Sequence, residues 1–313
     1  MLAITQNAFG GPEVLHVVEV DRPRPGPGEV LVRVAATSVN AADWKARAGL
    51  IGGLGDPPLT LGLDVSGVVD ELGPGVGRFA VGEPVYGMVF GGGNAEYVVA
   101  RADTLAQKPR NIDFVHAAAL PTAALTAWQA LAALGARQRL LVHAAAGGVG
   151  HLAVQIAGHR GAFVVGTARA TNHEYLRGLG ADEVIDYAAV DFGTAVRDID
   201  IVLDLVGGAY GSRSTSVLRP DGRLIDTQGS DAEADPRYER FYVEPSGASL
   251  REITTMVERG HLRATIDQIL PLSEIAKAHR LSESGRVRGK IALVAWNPPE
   301  ERATGRAGAG LFA

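Results

Sequence analysis

Cysteine is absent from the 313 residues. Its absence excludes disulfides, thiolate metal ligands and a cysteine nucleophile. A dominant charge of one sign is also missing: 30 basic and 35 acidic residues give a formal net charge of only −5. The two signs are dispersed without a basic stripe, so nucleic acid is not an expected partner. No apolar run approaches the length of a membrane span, and residues 1–10 lack a basic start followed by a long apolar core. A cytoplasmic protein with no membrane partner is expected. Histidine, at eight residues, forms no His-Glu-x-x-His pair, so each imidazole reads as surface or core and no metal site is expected. What the chain does have is 46% hydrophobic residues, enough for two domains and a sizeable core.

The chain is organised around residues 140–150. A short apolar run, Leu140 to Val142, leads into small residues and then into apolar positions Leu152, Ile156 and Ala157 at helical spacing. This is strand, tight turn, helix. Against the dinucleotide fingerprint, Ala145, Gly147 and Gly150 take the three small-residue positions, with Ala where the first Gly usually sits. Gly147 would let the backbone approach a pyrophosphate, Gly150 would let helix and strand pack closely, and the helix N-terminus would offer unpaired N–H groups to the anion. Four further apolar runs follow, at 162–166, 183–187, 200–206 and 222–227, with helix-compatible sequence between them. Thr171 with Glu174 and Ser249 with Glu252 stand in capping-box spacing. The alternation predicts an α/β fold with a doubly wound parallel sheet.

The first third differs. Short β-branched runs at 14–20, 29–34, 65–70 and 95–100 alternate with Gly/Pro turns at 24–28, 73–77 and 91–94, which predicts a compact β-rich domain, a partly closed barrel. From Phe114 the pattern turns helical, with Pro121 between two helices or in the first turn of the second. The domain crossing is therefore placed at 121/122. A helix near 274–283 and a strand signal at 288–294 have no room in the alternating pattern and return to the first domain. The expected division is 1–121, 122–260 and 261–297, with a disordered Gly-containing tail at 298–313.

Residues 25–34, 39–44, 62–68, 120–129, 142–150, 179–187 and 287–291, in this order, resemble the zinc-independent quinone oxidoreductases of the medium-chain dehydrogenase/reductase superfamily, the zeta-crystallin-like group. The resemblance implies a GroES-like catalytic domain, a Rossmann domain inserted before its last segment, NADPH in the cleft between them, and a homodimer. In the zinc enzymes of the superfamily, Cys and His ligands lie in segments corresponding to 39–43 and 62–64. Here those segments offer Asn40 and Leu63, so no zinc is expected.

The strand expected to carry the ribose-binding carboxylate ends Thr167, Ala168, Arg169. No carboxylate stands there to repel a 2′-phosphate, and Arg169 can pair with one, which favours NADPH over NADH. Family positions implied to contact cofactor are Asn40, Thr126, Ala146, Gly148, Val149, Tyr187, Val206, Gly207 and Lys290. Asp186 and Asp204 read as strand-end carboxylates serving turns. For the chemistry, Asn40 is the expected hydrogen-bond donor to the reacting acceptor and Thr126 the group that positions the nicotinamide. The blander readings are a side-chain-satisfied turn for Asn40 and a helix hydroxyl bonded to its own backbone for Thr126. Asp43 and Asp64 are expected to brace the cleft, and Trp44 and Trp128 to pack in the core. Tyrosines that some family members place after the Asn segment are missing from 47–54, leaving Tyr86 and Tyr242 as substitutes, with core packing the expected role for Tyr86. The acceptor is expected to be a quinone or a related conjugated carbonyl. An alkenal or enone double-bond reductase and an NADPH-binding structural or RNA-associated protein are the alternatives.

Overall fold

The structure is a computed structural model that describes residues 1–53 and 55–295. The tail expected at 298–313 lies outside the described residues. Two large sheets dominate. The first has seven strands, with Ile266–Pro271, Lys290–Val294, Glu29–Val39, Asp64–Leu72, Pro84–Met88 and Leu105–Gln107 side by side, and Tyr97–Arg101 joining the other half of the long strand Glu29–Val39. Its pairs are antiparallel except that between Ile266–Pro271 and Lys290–Val294. Lys290–Val294 pairs antiparallel with the end of Glu29–Val39, Ile291 opposite Val39. The chain thus comes back to its first sheet after building the second. A separate antiparallel pair joins Leu2–Gln6 to Leu15–Glu19.

The second sheet is parallel throughout, in the order Glu183–Asp186, Phe163–Ala168, Arg139–Val142, Ile199–Asp204, Leu218–Asp226, Tyr238–Arg240. Chain order reverses between Arg139–Val142 and Ile199–Asp204. In an open parallel sheet the crevice beyond the strand C-termini opens at such a reversal. Leu140, Leu141 and Val142 are wholly buried, as expected of a strand covered on both faces. Helices Pro121–Ala130 and Gly150–His159 pack against each other on this sheet. Pro121 stands in the first turn, where its missing N–H costs nothing. Gly150 is a point of close approach, since an added Cβ would stand 2.4 Å from the Ala144 carbonyl oxygen. No helix among the described residues is long and apolar enough to cross a membrane.

Two expected helix caps are corrected. Thr171 does not cap: it lies inside the 3-10 turn Ala170–Asn172, where the Asn172 N–H bonds Arg169, and the helix His173–Gly178 starts after it. Ser249 is the third residue of Gly247–Glu258, and Ser246 caps that helix by accepting the Ser249 N–H at 3.1 Å. In both places the spacing fits a capping box but the chain enters the helix at a different residue.

Candidate active site

The crevice at the reversal point is a cavity in two compartments that share Ala144, Gly147, Gly285 and Val287. The narrower, about 260 Å³, is lined by Val39, Asn40, Ala123, Leu205, Thr227, Gln228, Ser282 and Lys290 among others. The wider, about 570 Å³, is lined by Thr167, Arg169, Asn172, Tyr187, Asp267, Arg286 and Arg288 among others. The turn between strand and helix forms the ridge between them. Ala144 is held there at φ 50°, a left-handed conformation that costs an alanine about 1–2 kcal/mol. The Gly147 N–H donates to Ala144 at 2.9 Å, which closes the turn. Among the described residues the N–H groups of Gly148 and Val149 have no acceptor, and both residues line the narrow compartment beside the start of Gly150–His159. These are donors available to an anion.

The far wall is built by two matching turns. Asp204 Oδ1 accepts the N–H of Val206 and Gly207, and Asp226 Oδ1 accepts those of Gln228 and Gly229. These strand-end carboxylates set Leu205, Thr227 and Gln228 into the lining. Asp186 likewise accepts the Ala188 N–H at 3.0 Å.

The floor of the narrow compartment is a buried polar network. Asn40 stands at the start of helix Ala41–Arg47, and its Nδ2 donates to Asp64 Oδ2 at 2.7 Å. The Lys290 ammonium donates to Asn40 Oδ1 at 2.5 Å and to the Val39 carbonyl at 3.1 Å, and stands 3.4 Å from Asp64 Oδ2. Asp64 also accepts the Thr122 N–H at 2.7 Å and the Ser38 hydroxyl, which ties the first sheet to the helix beneath the cofactor-type sheet. Asp43 accepts N–H bonds from Asn40 and Gly62. Burial pushes its carboxyl up to about 7, against the pull of the Asn40 N–H. Both carboxylates brace the cleft.

Around the cavity the structure brings together Asn40, Ala146, Gly147, Gly148, Val149, Gly150, Thr167, Ala168, Arg169, Tyr187 and Lys290. Four other sequence candidates stand outside its lining. Ala145 is buried beneath the turn, Gly207 is buried against Gln228 and Gly229, and Val206 faces solvent. Thr126 is buried and donates its hydroxyl to the Thr122 carbonyl at 2.7 Å, four residues back in its own helix. Tyr86 is a core residue whose hydroxyl bonds Leu250 and Thr254, while Tyr242 is exposed under the Arg240 guanidinium. Trp44 and Trp128 are half-buried, and Trp128 packs on the core. Arg286 and Arg288 were not expected. They come from the returning segment, and Arg288 bonds Asn172 at 2.8 Å across the wider compartment.

Three histidines are fully buried. His143 lies between Thr167 and Ser214, His151 between Gly147 and Thr265, and His279 beside Arg47. Burial pushes them down from 6.5, to about 3, 4 and 3 respectively. Between those values and 6.5 the unfolded chain binds protons that the folded chain does not, so stability falls as pH drops through that window. Asp43, raised from 3.8 to about 7, acts in the opposite direction over much of the same range. Asp204, also raised by burial, acts with Asp43, and with three imidazoles against these two carboxyls the urea midpoint is expected to fall from pH 6.5 to 4. A flat or rising midpoint would show that these imidazoles are not held neutral.

Residues 26–110 match the family model of the alcohol dehydrogenase GroES-like domain, and residues 179–293 match that of a zinc-binding dehydrogenase. The chain is 34% identical over 323 residues to the chloroplast envelope quinone oxidoreductase homolog of Arabidopsis thaliana, covering 94% of this chain and 98% of the relative. It is 32% identical over 310 residues to the NADPH-dependent alkenal/one oxidoreductase of the same plant, covering 94% and 79%. Among solved structures, the quinone oxidoreductase from Coxiella burnetii matches with a TM-score of 0.88 at 36% identity over 94% of this chain and 99% of that one. The Escherichia coli quinone oxidoreductase complexed with NADPH matches with a TM-score of 0.87 at 26% identity over 94% and 100%. A GroES-like sheet completed by the chain's return from a Rossmann sheet is the architecture of the medium-chain dehydrogenases/reductases. The chain belongs to the zeta-crystallin-like quinone oxidoreductase group of that superfamily.

Proposed function

We propose that the chain transfers hydride from NADPH to a quinone or a related conjugated carbonyl acceptor, without zinc. The observation that carries this reading is the divided cavity: a wide compartment rimmed by Arg169, Arg286 and Arg288 against the single carboxylate of Asp267, joined by a glycine turn to a narrow one floored by Asn40 and Lys290. A dinucleotide phosphate fits the wide side, because three guanidiniums offer paired donors and the strand end at Arg169 carries no carboxylate. The turn fits a pyrophosphate, with the open N–H groups of Gly148 and Val149 beside a helix start. NADPH, when bound, supplies the hydride. In the narrow compartment the second amide hydrogen of Asn40 remains to donate to an acceptor oxygen as it gains charge, and the buried Lys290 ammonium favours that charge. Thr126, its hydroxyl proton given to its own helix, would act on the nicotinamide side through packing or its lone pairs.

Zinc does not fit this donor set. The first-sheet segments present Asn40 and Leu63, cysteine is absent, and the Lys290 ammonium already stands as the cation among Asn40, Val39 and Asp64. Enone or alkenal double-bond reduction is the second reading, supported by relatives named as an alkenal/one oxidoreductase and a 2-methylene-furan-3-one reductase. Initial rates with an ortho-quinone and a 2-alkenal in parallel decide between the two. The proposal extends to a homodimer, which rests on the family resemblance, to a cytoplasmic location, which rests on the sequence features given above, and to a division at 121, 260 and 297, which rests on the pattern of strand and helix signals.

Arg169 gives the cofactor test. Arg169→Ala is expected to lower the NADPH/NADH ratio of kcat/KM about tenfold, with the NADH value little changed. An unmoved ratio would remove Arg169 from 2′-phosphate recognition.

A further inference from the structure

His151 lies one residue inside the helix that follows the glycine turn, and it is wholly buried. Its ring is bonded at both nitrogens: Nδ1 lies 2.9 Å from the Gly147 carbonyl oxygen, and Nε2 accepts the Thr265 N–H at 3.1 Å. A backbone N–H can only donate, so Nε2 must be the unprotonated nitrogen and Nδ1 the one that donates to Gly147. The Gly147 carbonyl also accepts the His151 N–H at 3.1 Å, so both its lone pairs are taken on the helix side. The peptide joining Gly147 to Gly148 is trans, and in a trans peptide the N–H points opposite to the carbonyl. Holding the Gly147 oxygen toward the helix therefore aims the Gly148 N–H at the cavity that Gly148 lines.

The other end of the ring is equally fixed. Thr265 accepts the Lys290 N–H at 2.9 Å, its hydroxyl accepts from Tyr175 at 2.9 Å, and the Gly289 N–H bonds the Ala146 carbonyl at 2.9 Å. Gly289, at φ 72°, allows this approach, since a Cβ there would stand 2.2 Å from the Thr265 oxygen. His151 is thus the side chain that joins the turn to the returning segment, which carries Arg286, Arg288 and Lys290 into the cavity.

We infer that His151 is a positioning residue for the dinucleotide: through its bond to Gly147 it orients the Gly148 N–H toward the pyrophosphate, and through Thr265 it fixes the returning wall against the turn. The inference rests on the NADPH reading above. His151→Leu removes both bonds, whereas His151→Asn keeps a donor near the Nδ1 position. The leucine variant is expected to weaken equilibrium NADPH binding, read by nucleotide fluorescence, and to raise KM for NADPH, each about tenfold, while kcat at saturating NADPH moves by less than about twofold. The asparagine variant is expected to recover most of the affinity. Equal affinity in wild type and the leucine variant overturns the inference, as does an equal loss in both variants. Should the leucine variant not fold, imidazole nitrogen NMR of the wild-type protein still decides, with a neutral Nδ1–H tautomer expected and an Nε2–H or charged ring contradicting it. Absence of NADPH binding by the wild-type protein would instead overturn the cofactor reading, so the two fail separately.

Discussion

Lys290→Met is expected to lower unfolding stability by about 3 kcal/mol and kcat by about a hundredfold. Lys290 is 2% exposed and Asp64 is wholly buried, so the pair is screened little by solvent. Removing one member of such a pair strands the other's charge, and the penalty is about 3–5 kcal/mol. The low end applies here because Asp64 keeps donors from Ser38, Asn40 and Thr122. Activity falls further than stability suggests, because the methionine leaves Asn40 Oδ1 without its partner and the amide free to turn. Urea unfolding and initial rates measure the two effects. Adding Asp64→Asn to the variant should restore part of the stability but none of the rate. A single variant within about 0.5 kcal/mol of wild type would show that the ammonium is not held as described.

Gly147→Asp is expected to weaken NADPH binding by at least about a hundredfold with the fold retained. A Cβ at this position would stand 3.2 Å from the Ala144 carbonyl oxygen and meet no other group, a tight contact that a shift of a few tenths of an ångström in the turn would relieve. The added carboxylate would stand on the ridge between the two compartments, where the dinucleotide phosphates would run, and like charges at close range repel strongly in a partly desolvated site. Thermal unfolding serves as the control for fold, and nucleotide fluorescence reads the affinity. Unchanged binding in the folded variant would remove the turn from phosphate recognition.

These two positions also show what could be seen in the sequence. The turn was legible because strand, glycine corner and helix are contiguous: a local pattern carries the geometry, and Arg139–Val142 and Gly150–His159 lie close to where the apolar spacing puts them. The alternation of apolar runs likewise reveals the parallel sheet. The edge strand Tyr238–Arg240 and the three-residue Leu105–Gln107 left no signal, being too short to show a period. Lys290 was named only through family resemblance, because its partners Asn40 and Asp64 are more than 200 residues away and no spacing rule reaches that far. Arg286, Arg288, Thr227 and Gln228 escaped for the same reason, since topology rather than local pattern brings them to the cavity. The Asp204 and Asp226 turns could have been found together: each is a strand-end aspartate followed three residues later by glycine, and the repetition in neighbouring strands places Leu205, Thr227 and Gln228 on one wall. Ala144 shows the limit of glycine counting, because the left-handed residue in the turn is an alanine, the first of three in a row after His143.

The central claim is zinc-free hydride transfer from NADPH to a conjugated carbonyl acceptor. Its most direct test is the initial rate of NADPH oxidation by the purified chain with an ortho-quinone in excess chelator, with NADH run alongside. Chelator-resistant turnover that prefers NADPH is the expected result. Turnover abolished by chelator and restored by zinc, or equal rates with NADH, would contradict the account.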